Sequence, residues 1–504
     1  MDFVSNPEAR SSESLRLRDR WIEPSEIEAH LLRHPQVKRS VVLVNEDEVG
    51  EPQLIAHVMV DLGESKAQGE SGLGSVKTGI TDRWKTLYDL TYSSAANKDP
   101  SFAGWNSSYT RQPIPEAEMR EWLLATVDRI RTLRPSSLLE IGCGSGLLVQ
   151  HLAPECIRYV GTDFSPSALE RLKQWISRRG NLVHVELLQR SAMELQDLAP
   201  GSFDTVVLNS VIQYFPNIEY LLTVLEHATR LLVPGGKIFV GDVRHLGLLP
   251  MFHSAVQLSR ASDSLTVTHL RTRITRALAH EMELAIDPQF FRALPTHLSR
   301  ITAVDVQVKV GRASNELTRY RYDVVLHTDE HLREHPTFET RLWRADSTFS
   351  AEIEAALQEK CFPALRLISI PNSRLAREAA VRKLIDSSDA RTTTASLRRQ
   401  LDGWLPEKPD LESFHQWGER YGYNVAIGWG TAQSPEDVDL LLSDRARAGQ
   451  IPPVPPSLSD LRPWHEYANS PLDNGIRQRL IPQLREHLRS QLPEHLIPTT
   501  WILS

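Results

Sequence analysis

The chain has 504 residues, too many for one ordinary domain and enough for about three. Its formal charge of -7 offers no polybasic surface for nucleic acid, and no uninterrupted apolar run is long enough to cross a bilayer. Three scattered cysteines, Cys143, Cys156 and Cys361, supply neither a disulfide framework nor metal-ligand spacing. The expectation is a cytoplasmic protein with no metal, no nucleic-acid partner and no membrane contact.

In chain order, residues 1–62 read as a first unit. Ile27, Leu31 and Leu32 recur at helical spacing, and strands are expected over 40–44 and 54–60. Residues 63–79, rich in Gly, Ser and Lys, read as a linker. The chain then turns aromatic, with Trp84, Tyr88, Tyr92, Phe102, Trp105 and Tyr109, and residues 116–133 have helical periodicity. Strand and helix alternate over 137–243, the pattern of a doubly wound α/β sheet, with later strands expected at 157–162, 182–188, 203–208 and 237–241. A helical, lid-like stretch over 246–298 and closing strands over 303–310 and 320–327 complete a unit spanning 80–328. Residues 329–445 suggest an accessory α/β region, with helices at 350–359, 373–385 and 411–421 and strands at 365–370 and 423–429. A proline-rich linker over 446–470 contains an extended polyproline run at 451–456. The tail, 471–504, carries one amphipathic helix over 482–492 with its proline in the first turn.

The chemistry concentrates at Glu140-Ile141-Gly142-Cys143-Gly144-Ser145-Gly146, a strand breaking into a Gly-x-Gly-x-Gly turn. Glycines let the backbone approach a ligand, and Asp163, about 20 positions on at the tip of the next strand, suits a ribose. The dinucleotide spacing G-x-G-x-x-G is broken because Leu147 stands where its last glycine belongs, and no Gly-Lys-Ser/Thr makes a phosphate loop. Glu140 would repel a pyrophosphate and suits a cationic ligand. The pattern resembles motif I of class I S-adenosylmethionine (SAM) methyltransferases, which implies a Rossmann-like seven-stranded sheet with a helical lid and SAM as cofactor.

Two further resemblances are nested. Residues 18–28, Arg-Asp-Arg-Trp-Ile-Glu-Pro-Ser-Glu-Ile-Glu, resemble the start of the small α+β C-terminal subdomain of nonribosomal peptide synthetase adenylation domains; Leu492-Pro493-Glu494-His495-Leu496-Ile497-Pro498 resembles its penultimate segment. Between them, Gly104-Trp105-Asn106, Gly161-Thr162-Asp163-Phe164-Ser165, Leu208-Asn209-Ser210-Val211-Ile212-Gln213-Tyr214-Phe215 and Asn315-Glu316-Leu317-Thr318-Arg319-Tyr320 are similar to blocks of the methyltransferases inserted into interrupted adenylation domains. Asp19, Trp21 and Ser25 depart from the adenylation pattern, and the tail stops short of the adenylating lysine, so the flanks are expected to be a scaffold without adenylating activity. The resemblance implies N-methylation of an aminoacyl thioester on a phosphopantetheinyl carrier domain, beside the adenylation core of a synthetase module. Carbon or oxygen methylation and a silent scaffold remain as alternatives.

On that reading Glu140, Gly142, Gly144, Gly146, Asp163 and Phe164 hold the cofactor, with Ser191 and Ala192 framing the adenine and Asn209 and Ser210 facing the methyl group. Met193 reads equally as core. Asn209, Tyr214, Asp242 and His245 are the polar groups that orient or deprotonate the acceptor; a lone histidine after a strand also has a structural reading. Trp105 and Tyr109 cap the substrate, and Cys143 is a small filler in the loop.

Overall fold

The computed structural model describes residues 15–17, 20–46, 52–60, 100–102, 104–329, 338–403, 411–430, 434–448 and 461–503. The expected linker at 63–79, the aromatic residues Trp84, Tyr88 and Tyr92, and the proline run at 451–456 lie outside them. The chain divides into two units, one of residues 1–80 with 472–504 and one of residues 81–471.

In the first unit, β1 (Leu15–Leu17) and β2 (Arg20–Ile22) pair antiparallel, and the helix Pro24–Leu31 starts on a proline whose missing N–H costs nothing there. Its apolar residues Ile27 and Leu31 are fully buried. The antiparallel strands β3 (Val37–Glu46) and β4 (Pro52–Val60) follow, with Val42, Leu54, Ala56 and Val58 on the buried face.

The second unit is built on one large sheet. Its strands are β5 (Ser137–Ile141), β6 (Arg158–Asp163), β7 (Val185–Gln189), β8 (Phe203–Asn209), β9 (Leu232–His245), the two-residue β10 (Ala285–Ile286), β11 (Ile301–Val308) and β12 (Arg321–Thr328). Seven lie in the order β11-β12-β9-β8-β5-β6-β7, and β10 adds to the far end of β9. β5 to β9 run parallel, and β12 enters antiparallel. The order reverses between β5 and β8, so their carboxyl ends open a crevice at the switch point, where open α/β sheets bind ligands. Continuous apolar runs such as Val206, Val207 and Leu208 are buried on both faces, as a helix-covered parallel sheet requires. The expected strand at 237–241 is longer: β9 begins at Leu232 and bulges over 233–236, where Gly235 turns at φ 80°. After the glycine loop the chain forms the short helix Val149–Leu152.

A second sheet, of β13 (Glu339–Leu342), β14 (Ala364–Pro371), β15 (Tyr423–Trp429) and β16 (Asp437–Asp444), has the order β13-β14-β16-β15. β15 packs on the edge strand β11 so closely that a Cβ on Gly428 would lie 2.5 Å from the Val306 carbonyl oxygen. Residues 461–469, expected in a linker, are docked. Tyr467 is buried, its carbonyl accepts from Asp287 N at 2.7 Å, and Ala468 bridges Ile286 of β10.

The tail helix begins at Pro471, not 482, and runs to Arg489 with Pro482 in its interior. Leu472, Ile476, Leu480, Leu484 and Leu488 form one buried stripe whose packing outweighs the proline's lost hydrogen bond. The final strand, β17 (Thr500–Leu503), pairs parallel with β4, so segments more than 400 residues apart complete one three-stranded sheet. Among the described residues, no helix is long and apolar enough to cross a membrane.

Candidate active site

The turn after β5 works because of its glycines. Gly142, Gly144 and Gly146 sit at φ 79°, 50° and 86°, the left-handed region where other residues are strained. A Cβ on Gly142 would lie 2.4 Å from Val211 Cγ2, and one on Gly146 would lie 2.4 Å from Leu172 Cδ1. The loop is stitched to β6: the N–H groups of Gly142 and Cys143 donate to the Thr162 carbonyl at 2.7 and 2.9 Å. Asp163 takes Gly144 N on one carboxylate oxygen at 2.9 Å and Ser165 N on the other at 2.8 Å, which fixes the carboxylate against the loop.

These groups line a cavity of about 450 Å³ at the carboxyl ends of β5, β6, β8 and β9, a size suited to a small ligand. On its floor Glu140 is buried, and Tyr159 donates to it at 2.6 Å. Burial, reinforced by the nearby Asp163 and only partly offset by the tyrosine, pushes the Glu140 carboxyl up to about 8. A cation placed beside it would ionise it, which suits a ligand with a positive charge near the glycine turn. The residues present therefore fit S-adenosylmethionine: a tight glycine turn lining the cavity, a carboxylate at the tip of β6, and a buried acid lacking a counter-charge.

Beneath the tips of β8 and β9 lies a buried ionic layer. Ser210 and Asp242 hold left-handed backbone at φ 56° and 65°, strain that the surroundings must impose. Asp242 N donates to Asp323 at 2.9 Å, while the Asp242 carboxylate receives Arg321 at 2.6 Å, Ser210 at 2.9 Å and Trp122 Nε1 at 3.2 Å. Lys309 and Arg129 neutralise Asp323 at 2.9 and 2.6 Å and, against the cost of burial, hold its carboxyl below the usual range. Burial works against the charge of Arg321, but Asp242 and then Glu283 more than offset it and raise its pKa.

The wall opposite the glycine loop comes from distant segments: Arg244 of β9, Phe252, Glu283, Glu316, Tyr320 and Arg321. Glu316 is satisfied by Ser108, through N at 2.7 Å and Oγ at 2.8 Å, and so straps the segment 104–113 to the wall. Arg244 is shared between Glu281 and Glu283, at 2.9 and 3.0 Å. The sequence does not single out Arg244, Glu283 or Arg321, although Asp242 and His245 flank the first and the block 315–320 adjoins the last.

Of the residues singled out from the sequence, Glu140, Gly142, Gly144, Asp163, Phe164, Asn209, Ser210, Tyr214, His245 and Trp105 line the cavity. Others do not, and each has a reason. Asp242 lies below the lining with its carboxylate committed to Arg321, Ser210 and Trp122, so it is a support and not a base. Gly146 faces Leu172 and serves helix packing. Ser191 closes its own turn by donating to Glu194 at 2.8 Å, and Ala192 and Met193 pack on the core, leaving the adenine frame unmarked on that side. Tyr109 stands one layer back, its hydroxyl 3.0 Å from that of the lining residue Tyr320. His245 reaches the cavity, but burial lowers its pKa to about 4 between the rings of Tyr322 and Trp429, which makes it a weak proton acceptor.

Comparison with known proteins agrees with this geometry. Residues 139–238 match the methyltransferase domain family. The chain is 35% identical over 510 residues to chondramide synthase of Chondromyces crocatus, covering 98% of this chain and 13% of that protein. It is 36% identical over 495 residues to a probable non-canonical nonribosomal peptide synthetase of Salinispora arenicola, covering 97% of this chain and 6% of that protein. Against cyclosporin synthetase of Tolypocladium inflatum it is 27% identical over 542 residues, covering all of this chain and 3% of that one. The chain thus spans a small part of the curated relatives it matches. It carries an S-adenosylmethionine-dependent methyltransferase domain of the kind integrated in nonribosomal peptide synthetases.

Proposed function

We propose that this domain transfers a methyl group to the α-amine of an aminoacyl thioester carried on the phosphopantetheine arm of a carrier domain. The observation that carries the reading is the make-up of the cavity: the cofactor turn on one side faces Phe252, Tyr320 and the accessible carboxylate of Glu283 on the other, with Arg244 and Arg321 beside them, and the rings and that carboxylate suit an amine that becomes cationic as it is methylated. The joining of residues 500–503 to β4 supports the second half of the reading, since both ends then belong to one small α+β subdomain into which the methyltransferase is inserted. That subdomain would serve as the scaffold that holds the methyltransferase beside its adenylation core.

Bound in the cavity, S-adenosylmethionine would supply an electrophilic methyl group on a positively charged sulfur. The work of the chain is then to position and exclude water. Gly142, Gly144 and Asp163 hold the cofactor side. Trp105 and the strapped segment 104–113 cover the cavity, and Asn209 and Ser210 lie at its base between the two halves. The α-amine of an aminoacyl thioester is less basic than that of a free amino acid, so a modest proton acceptor suffices.

Mass spectrometry of aminoacyl-loaded carrier protein after incubation with the chain and S-adenosylmethionine tests this. A gain of one methyl on the α-nitrogen is expected; a gain on carbon or oxygen with the amine unmodified would defeat it.

A further inference from the structure

Of the four carboxylates lining the cavity, three are occupied by the protein itself. Glu140 is bonded to Tyr159, Asp163 to the glycine loop, and Glu316 to Ser108. The fourth, Glu283, is the most exposed of them, with 29% of its side chain accessible, and meets Arg244 through Oε2 at 3.0 Å. Arg244 also serves Glu281 through two contacts, at 2.9 and 3.0 Å, and Glu281 meets His253 Nε2 at 3.1 Å as well. Arg321 pairs with Asp242 at 2.6 Å and also feels the charge of Glu283. Glu283 is therefore the lining carboxylate left most accessible, facing the space where an acceptor would sit.

The backbone of Glu283 is held from an unexpected place. Asn469, in the docked segment before the tail helix, donates its Nδ2 to the Glu283 carbonyl at 2.9 Å and accepts Ala285 N on Oδ1 at 2.7 Å. Its own N–H meets the Ala285 carbonyl at 3.3 Å. This three-point clamp fixes the start of β10, which pairs directly with Arg244 and His245 of β9.

We infer that Glu283 is the catalytic carboxylate of the acceptor side and that Asn469 is its positioning residue. The inference rests on the amine reading above. As the nitrogen–carbon bond forms and the carbon–sulfur bond breaks, the bonding pair leaves with sulfur, and positive charge passes to nitrogen. Glu283 opposes that charge and takes the proton the nitrogen sheds, which then passes to solvent. A fixed counter-charge in a water-poor site stabilises the developing cation most in the transition state.

The test uses the full chain, S-adenosylmethionine and a panel of aminoacyl N-acetylcysteamine thioesters, with calorimetry reporting cofactor binding. Glu283→Gln should lower kcat about 100-fold, a loss typical of removing one preorganised charge partner, with cofactor affinity unchanged. Asn469→Ala should lower kcat about tenfold through misplacement of Glu283, again without altering cofactor affinity; a merely structural role would weaken both together. Should Glu283→Gln fail to fold, Asn469→Ala carries the test alone. Amine methylation at the wild-type rate by either variant overturns the assignment by itself. A wild-type chain that methylates carbon or oxygen overturns the amine reading and the assignment with it.

Discussion

The two halves of the cavity are built in opposite ways. The cofactor half comes from one stretch of chain, residues 140–164, in which strand, turn and strand follow directly and Asp163 reaches back to Gly144 at 2.9 Å. The opposite half, where we propose the acceptor sits, is gathered from Arg244, Glu283, Glu316, Tyr320 and Arg321, with Ser108 and Asn469 holding it from opposite ends of the unit. A locally encoded half can be carried intact from one acceptor to another. Five substitutions would break or sharpen that contrast.

The largest effect is expected from Arg321→Leu, which leaves Asp242 fully buried without its closest cation. Stability measured by denaturant unfolding should fall by about 3–5 kcal/mol. Because the cofactor half is local, cofactor affinity of the protein that remains folded should change less than about tenfold.

Gly142→Val strikes the other half. It forces a β-branched residue to φ 79° and drives a methyl into Val211, so calorimetry should find cofactor affinity reduced by about 100-fold or more. Affinity near the wild-type value would mean that the turn does not hold the ligand.

Asp163→Ala removes the proposed ribose contact together with the acceptor for Gly144 N and Ser165 N. Cofactor binding should weaken by about 10- to 100-fold, equivalent to about 1–3 kcal/mol. Unchanged affinity would show that the carboxylate only braces the loop.

Glu140 offers a pH test of the same half. Its carboxyl ionises near 4.5 when unfolded but near 8 when folded, so the folded chain holds the extra proton between those values. Its contribution to stability is therefore greatest below about 4.5 and declines as pH rises towards about 8. A cationic ligand lowers the folded pKa, so cofactor affinity should tighten over the upper part of that window with release of a proton, visible as buffer-dependent binding enthalpy. Glu140→Gln should abolish both slopes.

Tyr109→Phe is the mildest change. It removes the hydrogen bond to Tyr320 behind the acceptor wall and should cost about 1 kcal/mol of stability in thermal unfolding. The acceptor KM should rise a few-fold while cofactor affinity stays constant; a shift in cofactor affinity would mean that the halves are coupled.

The elements most legible from sequence are those with a clean period. Residues 411–421 and 423–429 form the helix and strand expected of them, because Leu411, Phe414 and Trp417 recur at helical spacing and β15 is a short apolar run. β16 escaped notice because Asp437, Asp439 and Asp444 flank its three leucines, and only the sheet shows Asp439 paired with Arg366 at 2.6 Å. β13 carries charged residues suited to an edge strand and has no period to read. The segment 461–469 looked like a linker because backbone hydrogen bonds hold it to β10, and these leave no mark in composition. Asp242 and His245 drew attention as polar residues near a strand tip; in the fold the Asp242 carboxylate is committed to Arg321, Ser210 and Trp122, and burial lowers the pKa of His245.

By itself the sequence determined the cofactor half. A glycine's freedom at positive φ and an acid one strand later are local properties, so the spacing from Glu140 to Asp163 already specified a nucleoside site of the SAM type. It also placed the doubly wound sheet, since strand–helix alternation is a short-range pattern. The tertiary structure decided everything that depends on distance: that Asp242 is spent on Arg321, that Glu283 stays accessible beside Arg244, and that Asn469 holds its backbone from 186 residues away. Charges act through space and through the dielectric around them, and neither is written in the order of residues along the chain.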